Sequence, residues 1–157
     1  MERQKKNLVG IAGAYFVAAE LSQKGYVATV TSRNTEGIDV LASRLDGSKS
    51  VSIQVKTSSA EQRKNYDRSW WMQAKHENIS SDNLFYVFVD LKSGHEKPDF
   101  YIAPSKYVAK YIKSAHEEWL NTPSRSGKKH QDNPARFFEI DDKEIPKFLN
   151  RWDSLGL

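Results

Sequence analysis

The stretch that most constrains this chain is Gly37 to Thr57, GIDVLASRL-DGSK-SVSIQVKT, two runs of alternating apolar and polar residues joined by a turn. Asp46-Gly47 is a dipeptide suited to closing antiparallel strands, and the alternation on both sides has the period of a half-buried hairpin. Ile38, Val40 and Ala42 share one face of the first strand, and Val51, Ile53 and Val55 share one face of the second. These six are expected to form one buried surface, with everything else pointing the other way. Two registers are open. If the loop is Asp46-Gly47 alone, Asp39 sits opposite Gln54; if it is Asp46 to Lys49, Asp39 sits opposite Lys56. Both put Asp39, Gln54 and Lys56 on one face, within a cross-strand reach of roughly 5 to 8 Å.

A carboxylate, an amide oxygen and an ammonium on one patch suit metal-assisted phosphodiester hydrolysis. A hard divalent cation such as Mg²⁺, or Mn²⁺ in its place, takes oxygen ligands, which Asp39, the Gln54 side-chain carbonyl and the backbone carbonyl of Val55 can supply. Lys56 would orient or deprotonate a water, or neutralise the pentavalent phosphorane. The pattern D-x(14)-Q-x-K on adjacent strands resembles the active-site hairpin of the PD-(D/E)XK nuclease superfamily, which includes restriction endonucleases and archaeal Holliday-junction resolvases. The resemblance runs from about Lys5 to Leu91. It departs at Ile38, where the motif name has proline, and at Gln54, where the second acid would stand. Some members do carry Q-x-K.

The resemblance implies a restriction endonuclease-like α/β fold: a helix followed by a mixed central sheet with flanking helices. It also gives Glu20 a meaning. Asn7 to Lys24 reads as a helix closed by Gly25, and its apolar residues spread nearly all round the axis, so it is expected to be largely buried. Glu20 is the one acid or base between Lys6 and Lys24. It is either a polar-edge residue beside Gln23 and Lys24 or, by the resemblance, the acid that completes the metal site. Glu36, in the turn before Asp39, is a further candidate ligand, although an acid beside a turn is more often simply solvated.

The length of 157 residues suits one domain, residues 1–157. The absence of cysteine excludes disulfides and thiolate metal sites and fits a reducing cytoplasm. No apolar run is long enough to span a membrane, so a soluble cytoplasmic protein is expected. The net charge of +4 permits a polyanionic partner without requiring one. The four histidines are scattered, with no pair at zinc-ligand spacing, and no glycine-rich phosphate loop is present.

Along the rest of the chain, Tyr26 to Thr31 reads as a strand that pairs with the hairpin. Thr57 to Ser69 has no apolar period and carries Arg63, Lys64 and Arg68 around Tyr66, followed by Trp70 and Trp71 at the head of an expected helix, Trp70 to Glu77. At least one of these tryptophans should be buried for packing. Leu84 to Leu91, LFYVFVDL, reads as a central strand buried on both faces, Phe100 to Ala103 as a shorter strand, and Ser105 to Leu120 as a covering helix. Asn121 to Arg136 is the longest irregular stretch, with Arg125, Lys128, Lys129 and Arg136 as candidate phosphate contacts. Phe137 to Ile140 is an expected edge strand and Ile145 to Leu155 a closing helix.

The leading expectation is a Mg²⁺- or Mn²⁺-dependent nuclease acting on DNA, with Asp39, Gln54 and Glu20 holding the metal and Lys56 assisting attack. The alternative is a module of the same fold that no longer cuts and uses its basic stretches to bind nucleic acid or protein. A homodimer would allow both strands of a duplex to be cut.

Overall fold

The structure is a computed structural model that describes residues 2–32, 36–60, 68–93 and 96–157, with side chains described from residue 6 onward. The first helix, α1, spans Glu2–Gln23, and the strands are β1 (Val27–Val30), β2 (Val40–Ser43), β3 (Ser50–Ser59), β4 (Ser69–Gln73), β5 (Leu84–Leu91), β6 (Asp99–Pro104) and β7 (Ala135–Glu139). Helix α2 covers Ser105–Asn121 and a single turn, α3, covers Ile145–Phe148. Five strands form one sheet in the order β1-β2-β3-β5-β6, and β4 and β7 form a separate two-stranded ribbon. The large sheet is mixed: β3 and β5 are parallel, and the other neighbours are antiparallel.

Side-chain alternation sorts the two faces of the sheet. Val40, Ala42, Val51, Ile53, Phe85, Val87, Val89, Phe100 and Ile102 pack with Ala14, Val17 and Leu21 of α1. Tyr86, Phe88, Tyr101 and Ala103 face the opposite way and pack with Trp70 and Met72 of β4, Phe138 of β7 and Val108 and Ile112 of α2. β5 is buried on both faces, as its unbroken apolar run requires, since it lies between β3 and β6 with α1 on one side and the ribbon and α2 on the other. Of the six hairpin residues expected on one surface, Val40, Ala42, Val51 and Ile53 are buried; Ile38 and Val55 are half-buried.

Four local expectations are revised. Helix α1 is not buried all round: Leu8, Tyr15 and Phe16 are exposed, because a helix lying on one face of a sheet buries only the stripe that meets it. Residues 69–73 are a strand and not the start of a helix. Trp70 and Met72 point inward and Trp71 outward, and a 3₁₀ turn over Ala74–Asn78 follows. The edge strand at the C-terminal side starts at Ala135 and pairs with β4, outside the main sheet. The closing helix is broken: the chain leaves helical geometry after Phe148, Leu149 bridges Tyr101, the Asn150 N–H donates to the Phe100 carbonyl at 2.7 Å, and Asn150 has a φ of 54°. A further 3₁₀ turn, Trp152–Leu155, then places Trp152 and Leu155 against the α1-side core.

Candidate active site

The hairpin register is the one centred on Asp46-Gly47, with Val40 opposite Ile53 and Ser43 opposite Ser50. Asp39 departs from it. Its N–H donates to the Ile53 carbonyl at 2.8 Å although Val40 is the ladder partner of Ile53, so two successive residues address one, as in a β-bulge. The β2–β3 ladder ends at this pair, and beyond it the Asp39 side chain reaches β3. There Asp39 Oδ2 accepts the N–H of Val55 at 2.7 Å. Ile53 and Val55 are two residues apart and present their N–H and C=O groups to the same side, so the Val55 carbonyl faces the gap that β2 has left.

Gln54 and Lys56 lie on the face that Tyr86 and Phe88 share, each beside one of them in the parallel register. Gln54 is buried, its amide nitrogen lies 3.4 Å from His76 Nε2, and its amide oxygen is buried with no hydrogen-bond partner among the described residues. Lys56 is half-buried. Burial pushes its ammonium below the ordinary lysine pKa; the Asp39 charge opposes that, and Lys75 reinforces it. Thus the Asp39 carboxylate reaches β3 at Val55, between Gln54 and Lys56, its charge is felt by a lysine made easier to deprotonate, and the Gln54 amide oxygen next to it in sequence has no partner among the described residues.

His76, at the 3₁₀ turn after β4, was not legible as a site residue from the sequence. It is 2 % exposed, and its ring meets the Tyr86 ring edge-on at 6.2 Å. Burial and then the Lys56 charge push its pKa down to about 4, so the imidazole is neutral near pH 7. Lys75, on the same turn, pairs with Glu36 at 2.9 Å, which places Glu36 at the rim with its carboxylate engaged and its pKa lowered by that lysine.

The other expected residues are placed elsewhere. Glu20 lies on α1, which covers the opposite face of the sheet from Gln54 and Lys56, and its carboxylate pairs with Lys97 at 2.6 Å. α1 packs tightly on β3 at Gly13, where an added methyl group would overlap the Thr57 side chain; Glu20 is seven residues, about 10 Å of helix axis, further on. Arg136 is no surface contact either. It is 7 % exposed, paired with Glu77, and donates to the carbonyls of Asn133 and Ala135. Arg68 is tied to the Ile140 carbonyl at 3.2 Å and to Asp142. Arg125, Lys128 and Lys129 are exposed; Arg63 and Lys64 lie outside the described residues. A cavity of about 300 Å³ opens between α2 and β7, lined by Tyr111, His116, Trp119 and Phe137 among others, but none of Asp39, Gln54, Lys56 or His76 lines it.

No family model and no curated protein matches the chain. Among solved structures it is similar to a bacterial homing endonuclease, with a TM-score of 0.54 and 11 % identity over 93 % of this chain and 89 % of that one. It is also similar to Hjc, a Holliday junction resolvase from the archaeal hyperthermophile Archaeoglobus fulgidus, with a TM-score of 0.50 and 12 % identity over 94 % of this chain and 95 % of that one. The chain shares the restriction endonuclease-like fold of these two structures. At these identities the likeness establishes the fold alone. Within that fold, the hairpin bearing Asp39, Gln54 and Lys56 is β2–β3, and its floor is β5.

A divalent cation fits the residues present. Among the described residues no group of three or more His, Cys, Asp or Glu side chains could hold a metal, so a cation here would rely on one carboxylate supplemented by neutral oxygens. The buried, unpartnered Gln54 oxygen is such a ligand in waiting, and Mg²⁺ is the hard cation that accepts few protein oxygens and keeps several waters.

Proposed function

We propose that this protein is a divalent-metal-dependent nuclease that hydrolyses DNA phosphodiester bonds. What supports the reading is that the Asp39 carboxylate reaches across to Val55, between Gln54 and Lys56 on β3, that its charge is felt at Lys56, and that the Gln54 oxygen has no partner among the described residues. Asp39, Gln54 and the Val55 carbonyl would hold Mg²⁺ or Mn²⁺, which when bound supplies a Lewis acid and an acidified water. Asp39 is held for this by the Val55 N–H, which donates to one of its carboxylate oxygens. Lys56, its proton loosened by burial, orients the attacking water or takes its proton, and in its charged form stabilises the phosphorane. Glu20 is left out of this set because its carboxylate holds Lys97. The exposed Arg125, Lys128 and Lys129, with Arg63 and Lys64, are the proposed phosphate contacts.

The test is incubation of the protein with plasmid, linear, single-stranded and branched DNA in Mg²⁺ and in Mn²⁺, beside Asp39→Ala and Lys56→Ala. Metal-dependent cleavage by the wild type and by neither folded variant is the expected result. Binding without cleavage would favour a second reading, a non-cutting module that holds nucleic acid or protein, which the single carboxylate of the site motivates. Cutting both strands of a duplex would call for two copies, and light scattering with and without DNA reads out that number. No helix among the described residues is long and apolar enough to cross a membrane.

A further inference from the structure

A neutral amide can replace an acid at a metal site only if its oxygen, and not its nitrogen, faces the cation. A carboxylate has no such problem, since its two oxygens are equivalent. The surroundings of Gln54 address this difficulty. Its amide nitrogen lies 3.4 Å from His76 Nε2, inside a buried pair. With the amide nitrogen donating there, Nε2 would carry the lone pair and the ring proton would sit on Nδ1. Nδ1 lies 3.1 Å from the Gln73 carbonyl, which can accept a hydrogen bond from it. With the NH₂ end so occupied, the oxygen is turned away from the imidazole and has no partner among the described residues.

The reverse arrangement is also built into the backbone. The Gln73 N–H lies 3.1 Å from the same Nδ1, and would serve a tautomer in which Nε2–H donates to a rotated Gln54. The field beyond Gln54 separates the two. Lys56, the next residue on the same face, repels an outward NH₂ and attracts an outward oxygen, and its charge is felt at His76.

We propose that His76 is the positioning residue of the site: as its Nδ1–H tautomer it grips the Gln54 nitrogen and thereby presents the Gln54 oxygen to the divalent cation. The role of that oxygen rests on the nuclease reading; the grip on the amide does not. His76 touches no reacting atom and acts only through Gln54.

Two measurements test it and keep the two readings apart. In metal-free ¹⁵N-labelled wild type, long-range ¹H–¹⁵N correlation should show His76 protonated at Nδ1, with an Nε2 signal that moves in Gln54→Leu. The opposite tautomer overturns the proposal. Mn²⁺ affinity is then compared for wild type, His76→Phe, Gln54→Glu and the double variant. Loss of His76 should weaken binding about tenfold beside the amide and leave it unchanged in the Gln54→Glu background, since a carboxylate needs no orienting. Equal loss in both backgrounds would mean that His76 acts through packing alone, and overturns the positioning role. A wild type that binds no Mn²⁺ refutes the metal reading of the site, and the tautomer then decides the positioning by itself.

Discussion

The Asp39 carboxylate takes the hydrogen bond that β2 would have supplied to Val55, across the bulge at which β2 leaves β3. One side chain thus has a structural duty and a proposed chemical one, and they can be separated. In Asp39→Asn the amide oxygen still accepts the Val55 N–H while the negative charge is lost. Cleavage should fall by at least about 100-fold with little change in stability. Asp39→Ala should lose cleavage and also about 1 kcal/mol of stability, read from urea unfolding midpoints.

Lys56 presents the opposite balance. Burial disfavours its charged form more than Asp39 favours it, which lowers the pKa. A site that keeps a half-desolvated ammonium does so at the expense of stability. Lys56→Met should therefore abolish cleavage yet raise stability near pH 7 by about 1 kcal/mol. A fall in stability would mean that Lys56 serves as a structural partner of Asp39.

His76 predicts an acid-dependent term. Its folded-state pKa, about 4, lies below the ordinary histidine value, so between these pH values the unfolded chain binds the additional proton. The stability it confers is complete above pH ~6.5 and drains away as pH falls toward ~4, by up to about 2 kcal/mol after allowance for solvent screening. The difference in unfolding midpoint between wild type and His76→Phe should follow that window. A difference independent of pH would contradict the lowered pKa.

Lys92 holds together the far end of β5. Asp90 and Asp99 are direct cross-strand partners of like charge, and Lys92 bonds both, at 2.7 and 2.8 Å. Burial works against the ammonium, but the hydrogen bonds to the two aspartates outweigh it and raise its pKa. Lys92→Met would leave the buried Asp90 facing Asp99 without this bridge, and should cost about 3 kcal/mol in urea unfolding.

At Gly13 the constraint is steric. An added Cβ would overlap the Thr57 hydroxyl and crowd its Cβ and Cγ2, each at 3.0 Å. Gly13→Ala should destabilise the protein by about 2 kcal/mol, as overpacking does, and Thr57→Ala in the same chain should restore most of the loss. Failure of that rescue would place the cost in the helix itself.

What the sequence disclosed was whatever depends on neighbours in the chain. The common face of Gln54 and Lys56 follows from strand parity, and β5 from an unbroken apolar run, so both are readable. Strand parity also put Asp39 on that face, but the bulge at Asp39 and Val40 opposite Ile53 is a matter of pairing that no period records. The misreadings share a non-local cause. Ser69–Gln73 becomes a strand because β7, more than sixty residues later, pairs with it; Asn150 breaks the last helix because Phe100 offers a carbonyl. His76 reaches Gln54 from 22 residues away, carried there by the same ribbon. The exposed side of α1 was invisible because a ring of apolar residues cannot tell which of them will meet the sheet.

The parallel union of β3 with β5 also has a consequence in time. From Ser52↔Leu84 to Ser59↔Leu91 the strand bearing Gln54 and Lys56 is held by a partner made about thirty residues later. During synthesis the antiparallel hairpin can close early, but parallel pairing must wait for a long crossover to emerge. A nascent chain halted before Leu84 would own Asp39, Gln54, Lys56 and His76, yet have no floor on which to set them. Chemical competence in this protein would then be acquired late, by a strand that contributes no reactive group of its own.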